Sequence, residues 1–245
     1  MIAAAGGFSR AAFGAAIWAA VLLALCFPAG AAAEIVAACY VQPTTRYDHG
    51  VLGDAVEWGA LELEIRDGDA RALVTYVLPD TRVFEDIAPR LADVDGDGTP
   101  EVIVVETDVA RGAQLAIYDE TGKIAATDPI GRPHRWLAPA GAADLDGDGL
   151  VEIAYVDRPH LAKELKILRF RDGGLTPVAA APGVTNHRIG DDFISGGVRT
   201  CGARPDLVLL DGNWDRVVVV AMEERRVTAH AVGPASRLPA VLDCR

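Results

Sequence analysis

Two acidic nonapeptides constrain this chain more than any other feature: Asp93-Val-Asp95-Gly-Asp97-Gly98-Thr99-Pro-Glu101 and Asp144-Leu-Asp146-Gly-Asp148-Gly149-Leu150-Val-Glu152. In each, four carboxylates occupy alternate or nearby positions around a Gly-rich bend, so a tight turn can aim several oxygens at one hard cation. Calcium, which takes about six to eight oxygen ligands at relaxed geometry, suits such a bend better than magnesium. The expected shells are Asp93, Asp95, Asp97, Glu101 and the backbone carbonyl of Thr99, then Asp144, Asp146, Asp148, Glu152 and the carbonyl of Leu150, giving two calcium sites. Without a cation the crowded carboxylates would repel one another.

The flanks exclude an EF-hand. That motif needs a helix on either side and a glutamate where this chain has Val104 and Tyr155. Each loop instead runs into an apolar and partly β-branched stretch, Val102-Ile103-Val104-Val105 and Ile153-Ala154-Tyr155-Val156, which predicts a buried strand. A solvated Asp-Gly hairpin turn is the alternative for either loop alone. Two loops that agree in their ligand-type positions, each leading directly to an apolar strand, favour the cation.

The loops begin at Asp93 and Asp144, a step of 51 residues, which is the period of a propeller blade rather than of a hairpin. Strands are predicted over 87–94, 101–107, 114–119 and 123–128 around the first loop, and over 136–145, 152–157, 164–170 and 175–181 around the second. A third copy comes next: Asp206 falls where Glu101 and Glu152 fall, ahead of Leu207-Val208-Leu209-Leu210, but Val198, Thr200 and Gly202 replace the carboxylates, so no ion is expected there. A looser fourth copy covers 47–86. The sum is an all-β chain, a small β-propeller of four blades of four-stranded antiparallel sheets, at approximately 44–86, 87–135, 136–185 and 186–245, in one domain over 34–245. The segment 35–40 is a candidate to complete the last blade and close the ring, removing an open edge.

Ahead of the repeats, Arg10 precedes an apolar, alanine-rich run to Phe27, then Pro28 and Ala31-Ala32-Ala33. This is the pattern of a secretory signal peptide over 1–33, so the protein is expected to be periplasmic or secreted, with no stable membrane insertion after cleavage. The net charge of −12 opposes nucleic-acid binding. Past the leader, Cys39, Cys201 and Cys244 remain, enough for one disulfide in an oxidising compartment. Spacing does not fix the pair; a bond from Cys201, for instance to Cys244, would brace the loop that no ion braces.

At these residues the chain resembles the FG-GAP and VCBS repeat families, whose blades carry a D-x-D-G-D-G-x-x-[DE] loop between the first and second strands. The resemblance is specific over 88–107 and 139–158 and weak at 186–211 and 44–65. It implies a calcium-stabilised propeller serving in adhesion, ligand binding or as a module attached to an enzyme, with the ten loop positions named above as ligands. Family propellers often have seven blades, whereas this chain has material for four.

His49, His134 and His187 all lie in segments leading into a first strand. If those strands line a central channel, Arg135, Arg188 and Asp191 join the three histidines in a polar funnel on the face opposite the acidic loops, a place to look for a ligand or an acid–base step. His160 and His230 fall in other registers and read as surface residues. No nucleophile elbow, zinc-protease helix, P-loop or dinucleotide fingerprint occurs. The expected function is therefore an exported calcium-binding propeller acting as a binding or scaffold module for a protein or small-molecule ligand. The alternative is a periplasmic hydrolase or lyase using the His49, His134, Arg135, His187, Arg188 and Asp191 cluster.

Overall fold

The computed structural model describes Met1 and residues 33–245, so the leader expected over 1–33 lies outside the described residues except at its two ends. The rest is all-β: seventeen strands, then a short 3-10 turn and a five-residue helix, α1 (Leu238–Leu242), near the C-terminus. Among the described residues no helix is long and apolar enough to cross a membrane.

Alternation along the central strands explains how the sheets stack. In β6 (Glu101–Asp108), Val102 and Val104 face a cluster with Leu61, Leu63 and Phe84, while Ile103 and Val105 face Leu137, Ile153 and Tyr155. In β10 (Glu152–Asp157), Ile153 and Tyr155 complete that contact, and Ala154 and Val156 turn to Leu207, Leu209 and Val218. Each of these strands is thus buried on both faces, which is why they read as continuous apolar runs. Every fully buried Val, Leu or Ile contributes about 1.5–3 kcal/mol.

Three antiparallel sheets result. The second holds β9 (Leu137–Ala143), β10, β11 (Glu164–Arg171) and β12 (Gly174–Pro182), one four-stranded unit as expected. The third is built on β15 (Asp206–Asp211), β16 (Arg216–Glu223) and β17 (Arg226–Pro234), with the short β13 (Val184–Thr185) and β14 (Gly197–Arg199) sharing one edge of β15. The stretch expected to form the first two blades, together with the strand Glu34–Thr44 ahead of it, is one eight-stranded sheet. Its seam is β4 (Arg82–Phe84), which pairs with β6 on one side and meets β2 (Glu57–Asp67) at Trp58↔Phe84 on the other.

Several expectations are corrected. The segment 35–40 does not complete the last sheet: it lies in β1 (Glu34–Thr44), paired with β2, because Ile35 and Tyr40 bury beside Leu61 and Phe84. The outer face of the third sheet is covered instead by α1, whose Val241, with Leu238 and Leu242, packs on Val208, Leu210, Val217 and Val219. A Cys201–Cys244 disulfide ties the chain end down, leaving Cys39 exposed and free. The strand expected over 87–94 shrinks to β5 (Arg90–Ala92), since the Asp86 carboxylate accepts the Ile87 amide and turns the chain just before Pro89. The start of the looser fourth copy, 47–52, is loop.

Candidate functional site

β10 has an acidic loop at its start and the 158–163 connection at its end, and its six residues separate the two by about 20 Å. The acidic loops and the histidines therefore occupy opposite ends of the sheets.

At the acidic end, Asp93, Asp95 and Glu101 each bring one carboxylate oxygen within 4.8 Å of the others, and so do Asp144, Asp146 and Glu152. Gly96, Gly98, Gly147 and Gly149 take the left-handed backbone (φ +80°, +93°, +80° and +87°) that these bends require and other residues rarely adopt. Asp93 accepts the amides of Gly96 at 2.8 Å and Gly98 at 3.1 Å, and Asp144 accepts Gly147 at 2.7 Å and Gly149 at 3.0 Å. Asp97 stands apart from the first triad, accepting the Thr99 amide at 2.7 Å and hydroxyl at 2.6 Å; Asp148 accepts the Leu150 amide at 2.9 Å. Glu101, only 4% exposed, accepts the Val94 amide with Oε2 at 2.8 Å. Burial pushes its carboxyl up to about 7, against the pull of that amide, and Asp95, Asp97 and Asp93 add to the rise. A donor set of hard oxygens converging around a buried carboxylate fits calcium.

At the other end, four histidines from four separate connections meet. His49 Nδ1 lies 2.5 Å from Glu85 Oε1, and the Thr107 hydroxyl donates to Glu85 Oε2 at 2.5 Å. The Glu85 backbone carbonyl takes the Trp136 indole N–H at 2.7 Å, so one fully buried residue fixes three others. His134 stacks on Tyr47 at 5.2 Å and lies 5.3 Å from the His49 ring, with Nε2 3.0 Å from Asp48 Oδ1. His160 Nε2 is 3.0 Å from His187 Nδ1, and His187 Nε2 is 3.0 Å from the Asp191 backbone oxygen. A carbonyl only accepts, so His187 carries its proton on Nε2, accepts at Nδ1 from His160 Nε2–H, and leaves His160 Nδ1 with a free lone pair. Burial holds both rings neutral: His160 is lowered to about 4, with His187 and His49 adding to the effect, and His187 is lowered too. An ionised Glu85 likewise accepts Nδ1–H of His49, which leaves its Nε2 free.

His49, His134, Arg135, Trp136, Arg158 and His160 line a cavity of about 30 Å³ here. Arg158 is held bidentately by Asp157, whereas among the described residues the Arg135 guanidinium donates only to the His134 carbonyl, at 2.8 Å. Of the expected funnel residues, His49, His134, Arg135 and His187 come together. Arg188 lies over the Trp214 ring at 4.3 Å, and Asp191 contributes its backbone oxygen. His160, expected at the surface, belongs to the cluster; His230 lies on β17, away from it. Its position at the far end of the strand that begins at Glu152 is the signal that would have placed His160. Glu57 was missed altogether: 3% exposed, without a side-chain hydrogen bond among the described residues, and raised to about 9 by burial, with Glu85, Asp54 and Asp86 adding to the rise. Among the described residues, no three of the histidines and nearby carboxylates at this end bring ligand atoms within 4.8 Å of one another.

Residues 84–155, which span both acidic loops, match the FG-GAP-like repeat family. No curated protein matches the chain. Among solved structures, the crystal structure of an exotype rhamnogalacturonan lyase, YesX, is similar at 16% identity over 69% of this chain and 40% of that one, with a TM-score of 0.40. This chain therefore spans less than half the length of that lyase.

Proposed function

We propose that the chain is an exported, calcium-binding β-propeller of four blades that acts as a binding or scaffold module, taking a protein or small-molecule ligand at the histidine end. The convergence of His49, His134, His160 and His187 from four connections supports this reading. Calcium held by Asp93, Asp95 and Glu101 supplies positive charge that lets the buried Glu101 carboxylate remain ionised and so stiffens the strand connection. At the opposite end the protein's own groups present two oriented acceptors, His49 Nε2 and His160 Nδ1, beside the Arg135 guanidinium, a combination suited to a hydroxylated ligand bearing an anionic group. A thermal-shift screen of small hydroxy acids and acidic sugars tests it: ligands that stabilise the wild type are expected to lose their effect in a His49→Ala/His160→Ala variant. Equal stabilisation of both proteins moves recognition elsewhere.

A second reading, a hydrolase or lyase, is favoured by one observation: the Glu85–His49 pair orients an imidazole with its outer nitrogen free, the arrangement a general base needs. Turnover lost in His49→Gln while ligand binding persists would select the enzyme over the module.

A further inference from the structure

The two acidic loops match in sequence but differ in what stands across from them. On β11, Arg169 pairs in register with Glu152. In the first unit, one step back from the pair Val102↔Tyr118, the residue opposite Glu101 is Asp119, whose carboxylate is taken up by the amides of Thr121 at 2.7 Å and Gly122 at 3.0 Å. The consequence is visible in the contacts. The Arg169 guanidinium, 15% exposed, donates from Nε to Glu152 Oε1 at 2.7 Å and from Nη1 to Asp148 Oδ2 at 2.9 Å, and Nη2 reaches Glu152 Oε1 and, at 3.4 Å, Asp146 Oδ2. Glu152 Oε2 already accepts the Leu145 amide at 2.9 Å, so both oxygens of this fully buried carboxylate are engaged. Around the first loop, among the described residues, no Lys, Arg or His lies within ion-pair distance of Asp93, Asp95, Asp97 or Glu101, and Glu101 Oε1 has no hydrogen-bond partner.

We infer that the second loop carries its own cation: the Arg169 guanidinium stands among its carboxylates where calcium would bind, and the first loop alone depends on an ion. The inference rests on the calcium reading of the loops. A planar, permanently charged fork that bridges three carboxylates satisfies the lone pairs calcium would need and repels a divalent ion brought to the same oxygens. Divergence at one strand position thereby turns two similar bends into an ion-gripped one and a self-neutralised one.

Isothermal titration of the chelator-stripped full chain with calcium chloride tests this. The wild type is expected to bind one ion; Asp93→Ala abolishes it, Asp144→Ala retains it, and Arg169→Gln binds two. Two ions of like affinity in the wild type, retention by Asp93→Ala with loss in Asp144→Ala, or a single ion in folded Arg169→Gln would each overturn the inference while leaving the calcium reading standing. No ion bound by any of the four proteins would sink that reading and the inference with it. Should Arg169→Gln fail to fold, the Asp93→Ala and Asp144→Ala pair decides.

Discussion

Glu85 carries more of the histidine end than its place in the sequence suggests. Its side chain is fully buried and its three partners come from three other segments: His49, Thr107 and, through the backbone, Trp136. Glu85→Ala strands the His49 N–H and the Thr107 hydroxyl in a buried setting and should cost about 1–3 kcal/mol, read as a lower urea midpoint at unchanged slope. His160 gives a pH prediction with a definite sign. Its pKa falls from 6.5 to about 4 on folding, so below pH 6.5 the unfolded chain binds a proton that the folded one refuses. Stability should therefore drop as pH falls from 6.5 towards 4, and His187 acts in the same direction. Glu85 is raised by burial and opposes this trend, so the informative quantity is the difference in melting temperature between wild type and His160→Gln, which should shrink as pH falls through that window. At this scale the two acidic clusters were legible because each falls within nine consecutive residues. Glu85, Glu57 and His160 were not, since burial and convergence are properties of the folded chain.

The elements differ in how much of them the sequence declares. β6, β7 (Gly112–Asp119), β10 and β11 arise from apolar runs between Gly- and Asp-rich turns, and they formed where expected. The inner strands of the first and third sheets did not, because they are interrupted, whereas β9 formed within the expected 136–145. In the first sheet β4 and β5 share one edge of β6 with Glu85 and Asp86 between them; in the third, β13 and β14 share an edge of β15 with the excursion 186–196 between them. Those interruptions are where Glu85 and His187 are found, so the departures from regular strand and the candidate site coincide. The C-terminal helix is a second element that patterning alone did not reveal, since five residues are too few to show a period. It is secured by the Cys201–Cys244 bond across 43 residues. Cys244→Ser should lower stability by about 2–4 kcal/mol and open the C-terminal residues to limited proteolysis ahead of global unfolding.

Across residues 33–245 the fold is a series of sheets in which one apolar cluster joins the first to the second, another joins the second to the third, a further one lies within the first sheet, and α1 closes off the third. Repeat spacing predicted the succession of sheets, and the FG-GAP-like match over 84–155 covers its most regular part. It did not predict the seam at β4, because a three-residue strand carries no period and Trp58↔Phe84 is a pairing across distant sequence. If calcium holds the first acidic loop, chelation acts on the whole unit by mass action. At a hundredfold excess over its dissociation constant, one ion contributes about 2.7 kcal/mol, so EDTA should lower the calorimetric melting temperature of the wild type and leave that of Asp93→Ala unchanged.

The excursion that carries His187 leaves and rejoins its sheet at a narrow neck, where the Ser195 amide donates to the Asn186 carbonyl at 2.7 Å. Beyond that neck the backbone is tied in, the Gly190 amide donating to the Val51 carbonyl at 3.1 Å and the Asp191 carbonyl accepting from His187, whereas the Ile189 and Phe193 side chains are exposed. This gives the fold a place for diversification: randomising the exposed side chains at Ile189, Asp192 and Phe193 would display new groups beside the histidines while keeping the backbone that holds His187, a starting point for selecting new recognition properties.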